Sequence, residues 1–249
     1  MEHRRSPSER AYEYIDATAD VQKEVSDFKV NAGVANLKVL FSDGKLSMPV
    51  NLKIQTSTDF HRGVHMSRLV KAASSHGGAS IEGWLRSICR EVNATQPGSE
   101  ATCRFILPYE DQFAEVGVKA TERGPLTYMF TIGGMTACPC SKKMIGVGHM
   151  QRAEITIILK DKKPLSSREI VARLTECFSA KPKEELKRLE EAKRILAAQD
   201  NPKFAEDLVR ECVKRFPNAL FVSGRCFESI HAHDALATWS SKPGWIPSF

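Results

Sequence analysis

The order of hydrophobic patterns constrains this chain more than any single motif. Two β-patterned arms, a helical stretch and two further β-patterned arms follow one another, and the same order then runs again. Residues 28–57, FKVNAGVANLKVLFSDGKLSMPVNLKIQTS, form two arms around Ser42-Asp43-Gly44-Lys45, where Asp-Gly between alternating apolar residues predicts a hairpin. From His61 to about Val92 the period turns helical, with Leu69, Val70 and Ala73, then Ile81, Trp84, Leu85 and Ile88, at helical spacing. ATCRFILPY and FAEVGVKAT read as strands. Beyond the turn Glu122-Arg123-Gly124-Pro125, LTYMFTIGG and AEITIILK read as strands and SSREIVARLTECF as a helix opened by a serine cap. EELKRLEEAKRILAAQ and PKFAEDLVRECVKRF are helical, the second led by Asn201-Pro202, and ALFVSGRCFES and AHDALATW end the chain as strands.

Strand runs that flank helices without strict alternation predict an α+β fold, an antiparallel sheet with helices packed on one face. Element types repeat although residues do not, so the repeat is weak. It divides the chain into a loose tail over 1–19, a first module over 20–122 and a second over 123–249. The first half cannot cover both faces of its sheet unaided, which predicts that the halves pack together and the whole oligomerises. A 42% hydrophobic and 27% charged composition is that of a soluble globular protein. No apolar run is long enough to span a membrane, and the charged N-terminus lacks a signal-peptide core. Seven scattered cysteines suit free thiols in a reducing cytoplasm. A net charge of +6 favours acidic partners but does not choose between a nucleotide and a nucleic acid, and KPKEELKRLEEAKR reads as a solvated helix face.

Three clusters carry groups able to do chemistry. In ACPCSKKMIGVGHMQR, Cys138-Pro139-Cys140 precedes His149; the proline stiffens the turn, so the two thiols diverge and do not share one ion. One thiolate, one imidazole and an open position suit a catalytic Zn²⁺ or Fe²⁺ if further ligands arrive from elsewhere; the plainer reading is a loop with two ordinary cysteines. Gly146 and Gly148 bring backbone close to a ligand or simply turn the chain. In FESIHAHDALATW, Glu228, His231, His233 and Asp234 gather before an apolar run, and the alternative is a solvated sheet edge. On a strand His231 and His233 share one face and Glu228 takes the other, unless the chain bends between them. In TDFHRGVHMSRLV, His61, Arg62, His65, Ser67 and Arg68 stand at a helix start, where backbone N–H groups favour anions; a capped helix with surface cations reads equally well. Glu206 in DNPKFAED is either a solvated helix carboxylate or a purine anchor, since its two oxygens can accept guanine N1–H and N2–H together.

Taken in order, ADVQ, GVHMSR, CPCSK with GxGHxQR, DNPxFxEDLVR and FESIHAHDA resemble the type IB GTP cyclohydrolases, a metal-dependent group with an archaeal relative. The resemblance runs from about Asp20 to Ala237. It implies a tunnelling fold of paired antiparallel sheets carrying helices, two modules per chain, assembled as a homotetramer with sites at subunit interfaces. It also implies the reaction, in which GTP is hydrolysed at C8, formate leaves and the ribose rearranges to close a dihydropterin. The implied cofactor is a divalent metal (Fe²⁺, Mn²⁺ or Zn²⁺) held by Cys138, His149 and His231, with Glu191 as the best match for a further carboxylate, although LEEAKRILAAQ replaces the family's usual stretch there. Glu206 and Glu228 match two active-site glutamates, one anchoring guanine and one assisting proton transfer, with the two roles unassigned. Cys140 matches a second thiol near the metal. His65, Ser67, Arg68, Lys142, Arg152 and His233 are the candidates for contacts with the substrate, GTP. The spacing from Cys138 to His149 is one residue shorter than the family's, and the tail WSSKPGWIPSF has no counterpart in it. Two other readings compete. A non-catalytic purine- or RNA-binding protein of the same fold would bind polyanions with a steep salt dependence and need neither His149 nor His231. A reductase of the same fold would require a nicotinamide cofactor.

Overall fold

Asp43 makes the first hairpin, because its Oδ1 accepts the N–H groups of Lys45 and Leu46 at 2.9 and 2.8 Å. Those bonds hold its carboxyl below the ordinary range. They turn β1 (Asn31–Ser42) into β2 (Ser47–Ser57), with Ser42 opposite Ser47. The computed structural model describes residues 20–74 and 77–244; the expected tail over 1–19 lies outside them. Next come α1 (Met66–Ala73), α2 (Ile81–Asn93), β3 (Glu100–Tyr109), β4 (Gln112–Thr121) and β5 (Leu126–Ala137). The chain continues through α3 (Pro139–Ile145), β6 (Met150–Asp161), α4 (Ser167–Thr175), α5 (Arg188–Asp200), α6 (Ala205–Arg215), β7 (Ala219–Cys226) and β8 (Ala235–Ser240).

Every strand pairs antiparallel with the one before it, so the sheet is one eight-stranded meander in the order β1 to β8. The two expected halves meet where β4 pairs β5, from Glu115 opposite Thr131 to Lys119 opposite Thr127. One face is apolar across both halves: Cys103 lies opposite Val118, Val118 opposite Tyr128, and Tyr128 opposite Leu159, all buried. Helices from both halves cover that face. The Tyr128 hydroxyl donates to Glu82 of α2 at 3.0 Å and accepts the Leu165 N–H ahead of α4 at 3.2 Å. Trp84, Leu85, Ile88 and Cys89 of α2 and Leu208, Val209 and Cys212 of α6 complete the core. Full burial of a large apolar side chain contributes about 1.5–3 kcal/mol, so this continuous layer supplies most of the driving force.

The strands run longer than the sequence indicates. β5 continues to Ala137 and β6 begins at Met150, because the two pair along their whole length. The start of α6 also differs. Asn201-Pro202 does not open the helix; residues 201–204 form an extended tie in which Lys203 N–H donates to Ala137 O and Lys203 Nζ to Cys177 O, at 2.9 and 2.8 Å. The helix begins at Ala205, with Asp207 accepting the Phe204 N–H at 3.0 Å.

Candidate active site

The first cluster lies where β5 and β6 run out at the same end of the sheet. Cys138 N–H donates to His149 O at 2.9 Å, one rung beyond Ala137 opposite Met150. Opposed residues of an antiparallel pair present their side chains to the same face, so Cys138 and His149 share the face of Thr136 and Gln151. Cys138 keeps an extended backbone and caps α3, whose first residue is Pro139. The sequence reading treats this stretch as a stiff turn; a proline at the first helical position, where no N–H bond is needed, makes it a short helix instead. Cys140 lies on the exposed side of α3 with its Sγ 3.8 Å from Met144 Sδ, whereas Cys138 is half-buried. Gly146 ends α3 at φ 82°, in the left-handed region.

Gly148 is buried against Cys138, and a Cβ on it would sit 2.6 Å from Cys138 O. Its backbone is held at both ends by Gln199 of α5: Gly148 N–H donates to Oε1 at 2.7 Å and Nε2 donates to Gly148 O at 2.8 Å. The Ser141 hydroxyl accepts the His149 N–H at 3.1 Å. These contacts fix His149 from the backbone outward.

The second cluster joins the first through a loop. Residues 227–234 are not a strand; the chain bends after β7, with Phe227 N–H donating to Arg152 O at 2.9 Å and Arg225 paired with Asp234. The bend brings Glu228 Oε2 to 3.8 Å and Ser229 Oγ to 3.3 Å from His149 Nδ1. The His231 ring stands edge-on to His149, centroids 6.3 Å apart, and His233 stacks on His231 at 5.2 Å. Glu206, in the first turn of α6, is exposed on the same flank. Burial pushes the Cys226 thiol up, and the carboxylates of Glu228 and Glu206 push it the same way, against the bond from Thr136.

Other candidates stand apart from this group within the chain. Glu191 is exposed in the first turn of α5, eight residues before Gln199, which is about 12 Å along the helix axis from the contact with Gly148. Lys142 is half-exposed on α3 and donates its backbone N–H to Cys138 O. Arg152 alternates with Gln151 and faces the opposite side of β6, lining a hollow with Asp111, Phe113 and Phe227. His65 and Arg68 line a cavity of about 170 Å³ with His61, Lys23 and Gln96, where β2 ends and β3 begins; Ser67 is exposed in the first turn of α1. His65 caps α1 without a side-chain bond, its ring lying 3.3 Å from Asp20 Oδ2. Gln96 accepts the His65 N–H at 2.6 Å, and its buried Nε2 has no partner among the described residues. This cavity and the His149 cluster occupy opposite ends of the sheet, separated by the length of a twelve-residue strand, roughly 40 Å.

The donors fit a divalent cation in kind. Cys138 and His149 oppose each other on one face, and acceptors gather on His149 Nδ1, while among the described residues Nε2 has no hydrogen-bond partner. Two imidazoles on one tetrahedral zinc put their ring centres roughly 5 Å apart, close to the spacing of His149 and His231. Among the described residues no three His, Cys, Asp or Glu side chains yet converge on one point. Gln96, Gln151, Gln199 and Ser229 escape a reading of the sequence by residue type, because zinc and iron take sulfur, imidazole and carboxylate before amides and hydroxyls, and the value of these four lies in the groups they hold. Gln151 and Ser229 do carry a signal there, as letters of the GHMQR and FESIHAHDA motifs.

A helix-covered antiparallel sheet with sulfur, imidazole and carboxylate at one end defines an α+β protein whose donor set suits hydrolytic chemistry. The model of the type I GTP cyclohydrolase FolE2 family matches residues 19–237, and the chain belongs to that family of enzymes. It is 27% identical to the GTP cyclohydrolase FolE2 of Nitrosococcus oceani over 92% of this chain and 95% of that one. It is 29% identical to the GTP cyclohydrolase MptA of Aeropyrum pernix over 83% and 87%. The uricase of Arthrobacter globiformis overlays on 91% of this chain and 98% of its own, at a TM-score of 0.49 and 9% identity, a likeness that carries no weight for function.

Proposed function

We propose that the protein hydrolyses the imidazole ring of GTP at C8, releases formate and closes the product to a dihydropterin carrying either the linear triphosphate or a 2′,3′-cyclic phosphate. The observation that supports this reading is that Cys138, paired by backbone with His149, and Glu228 and His231, beside the His149 ring, lie at one end of the sheet in a chain of the GTP cyclohydrolase family. Cys138, His149 and His231 would hold a divalent metal, Fe²⁺, Mn²⁺ or Zn²⁺, with Glu191 the fourth candidate. When bound, that cation supplies Lewis acidity, which lowers the pKa of water toward neutrality. Glu228, 3.8 Å from His149 Nδ1, stands where a carboxylate can hold or pass a proton beside the cluster. Glu206, exposed on the flank of α6, has room to take the guanine edge, and the two glutamates share the roles of purine anchor and proton carrier.

The substrate's phosphates need cations, and His65, Arg68 and Lys23 stand around the cavity at the far end of the sheet. One copy cannot present both ends to one nucleotide. We infer that a second copy brings its His65, Ser67 and Arg68 beside the His149 cluster, so that residues 20–122 of one chain and 123–249 of another complete each site of a homotetramer. Lys142, Arg152, His233 and Cys140 remain candidates at its rim.

The test is direct. Protein stripped with a chelator and reloaded anaerobically with Fe²⁺, Mn²⁺ or Zn²⁺ should release formate from GTP and yield a fluorescent pterin, whose mass distinguishes the linear from the cyclic phosphate. His149→Ala and Glu228→Gln should each lose at least about 100-fold in kcat. Metal-loaded wild type that forms no pterin would end this reading.

A further inference from the structure

We propose that Gln151, supported by Thr136, is a positioning residue that sets the tautomer of His149 and so presents Nε2 to the metal. The inference rests on the reading of His149 as a metal donor but is carried by contacts of this chain alone. Gln151 is 6% exposed and Thr136 fully buried, so neither can turn to water for a partner. The Thr136 hydroxyl donates to Cys226 Sγ at 3.6 Å, and Gln151 Nε2 donates to Thr136 Oγ1 at 2.9 Å. That direction of donation turns Gln151 Oε1 toward His149 Nδ1, 2.9 Å away.

An amide oxygen only accepts, so the proton on the ring must sit on Nδ1. Glu228 Oε2, at 3.8 Å from the same nitrogen, favours the same arrangement, and the Ser229 hydroxyl at 3.3 Å is free to accept as well. A neutral imidazole protonated on Nδ1 keeps its lone pair on Nε2. A ligand histidine held through its other N–H binds more tightly because the ring is oriented and its basicity raised, and loss of the holding group typically costs 10–100-fold in affinity. The amide is suited to this task in a way a carboxylate is not. It accepts from the ring while donating inward to Thr136, so both of its ends are satisfied without a buried charge.

The experiment uses the full chain, metal-free, with ¹⁵N-labelled histidine, read by long-range ¹H–¹⁵N correlation at about pH 8, where an ordinary imidazole is neutral. The His149 signals are identified by their loss in His149→Gln. The expected spectrum has a protonated Nδ1 and a bare Nε2. Gln151→Leu should move His149 toward the Nε2–H form and weaken Zn²⁺ affinity 10–100-fold in a competition titration. Gln151→Glu, which restores an acceptor, should recover the Nδ1–H form. A wild-type ring protonated on Nε2 overturns the proposal, and this measurement needs no variant to fold. Gln151→Leu with weaker Zn²⁺ binding but an unchanged tautomer also overturns it, since the residue would then be only structural. Wild type that takes up no Zn²⁺ removes the metal reading of His149 and this role with it. Tight Zn²⁺ binding with the expected tautomer but no turnover of GTP supports the inference and counts against the proposed function alone.

Discussion

Lys203 shows how one residue of a functional segment serves the fold. Its backbone ties the approach to α6 to the end of β5, and its buried ammonium reaches the Cys177 carbonyl. Burial depresses its pKa below the ordinary 10.5. Below the depressed value the ammonium is charged in both states, and the cost of burying that charge is fully present. Between that value and 10.5 the folded protein has shed a proton that the unfolded chain keeps, so stability rises with pH across this window and levels off above it. Urea unfolding of wild type and Lys203→Met at neutral pH and at about pH 10 should show wild type gaining on the variant as pH rises; a constant difference would refute the assignment. The motif DNPKF marks this stretch in the sequence, but nothing there indicates that its lysine points inward. Charged side chains are buried only when a particular partner waits for them, and here that partner is a carbonyl 26 residues away.

Elements were legible wherever local chemistry decides. Ser80 and Ser166 cap α2 and α4 by accepting the N–H groups of Gly83 and Glu169 at 3.1 and 3.4 Å. Ser80→Ala should therefore destabilise the protein by about 1 kcal/mol, seen as a lower urea midpoint at unchanged slope. The hairpin at Asp43-Gly44 and the serine-led helix α4 follow from sequence for the same reason. The segments misread are those whose conformation answers to something remote. The strand ends read at FES and AHD give way to a bend over 227–234, the alternative left open between Glu228 and His231, because Phe227 turns to Arg152 and Asp234 to Arg225. That bend sets Glu228 against His149, a meeting that strand alternation alone would have forbidden. The pairing of Cys138 with His149 was half legible: the residue types were plain, whereas their rung opposite one another depends on β5 and β6 running to their full length.

At the scale of the molecule, the separation of the two polar sites along the sheet has a functional test. Arg68→Ala and Glu228→Gln each disable one end; if sites are built from two copies, mixing the unfolded variants and refolding them together should recover activity that neither has alone. Recovery to about one quarter of wild type is the ceiling when one end of each site comes from each copy and chains assort at random. No recovery, with assemblies of several 27.7 kDa chains seen by light scattering, would place each site within one chain. Several large apolar side chains are left open for such contacts, among them Leu189, Ile195 and Leu196 on α5, Met144 and Ile145 at the end of α3 and Val147 just beyond it. Among the described residues no helix is long and apolar enough to cross a membrane.

The meander has one more consequence. Each strand pairs with the one before it in sequence, so a nascent chain can build its sheet in order of synthesis, waiting longest where helices intervene, between β2 and β3 and between β6 and β7. The corner around His149 is the exception, since its last wall, Glu228 to His231, arrives only with the closing hairpin. A chain stalled shortly after α6 would already carry Cys138, His149 and Glu206 and still lack the Glu228 and His231 that complete their corner.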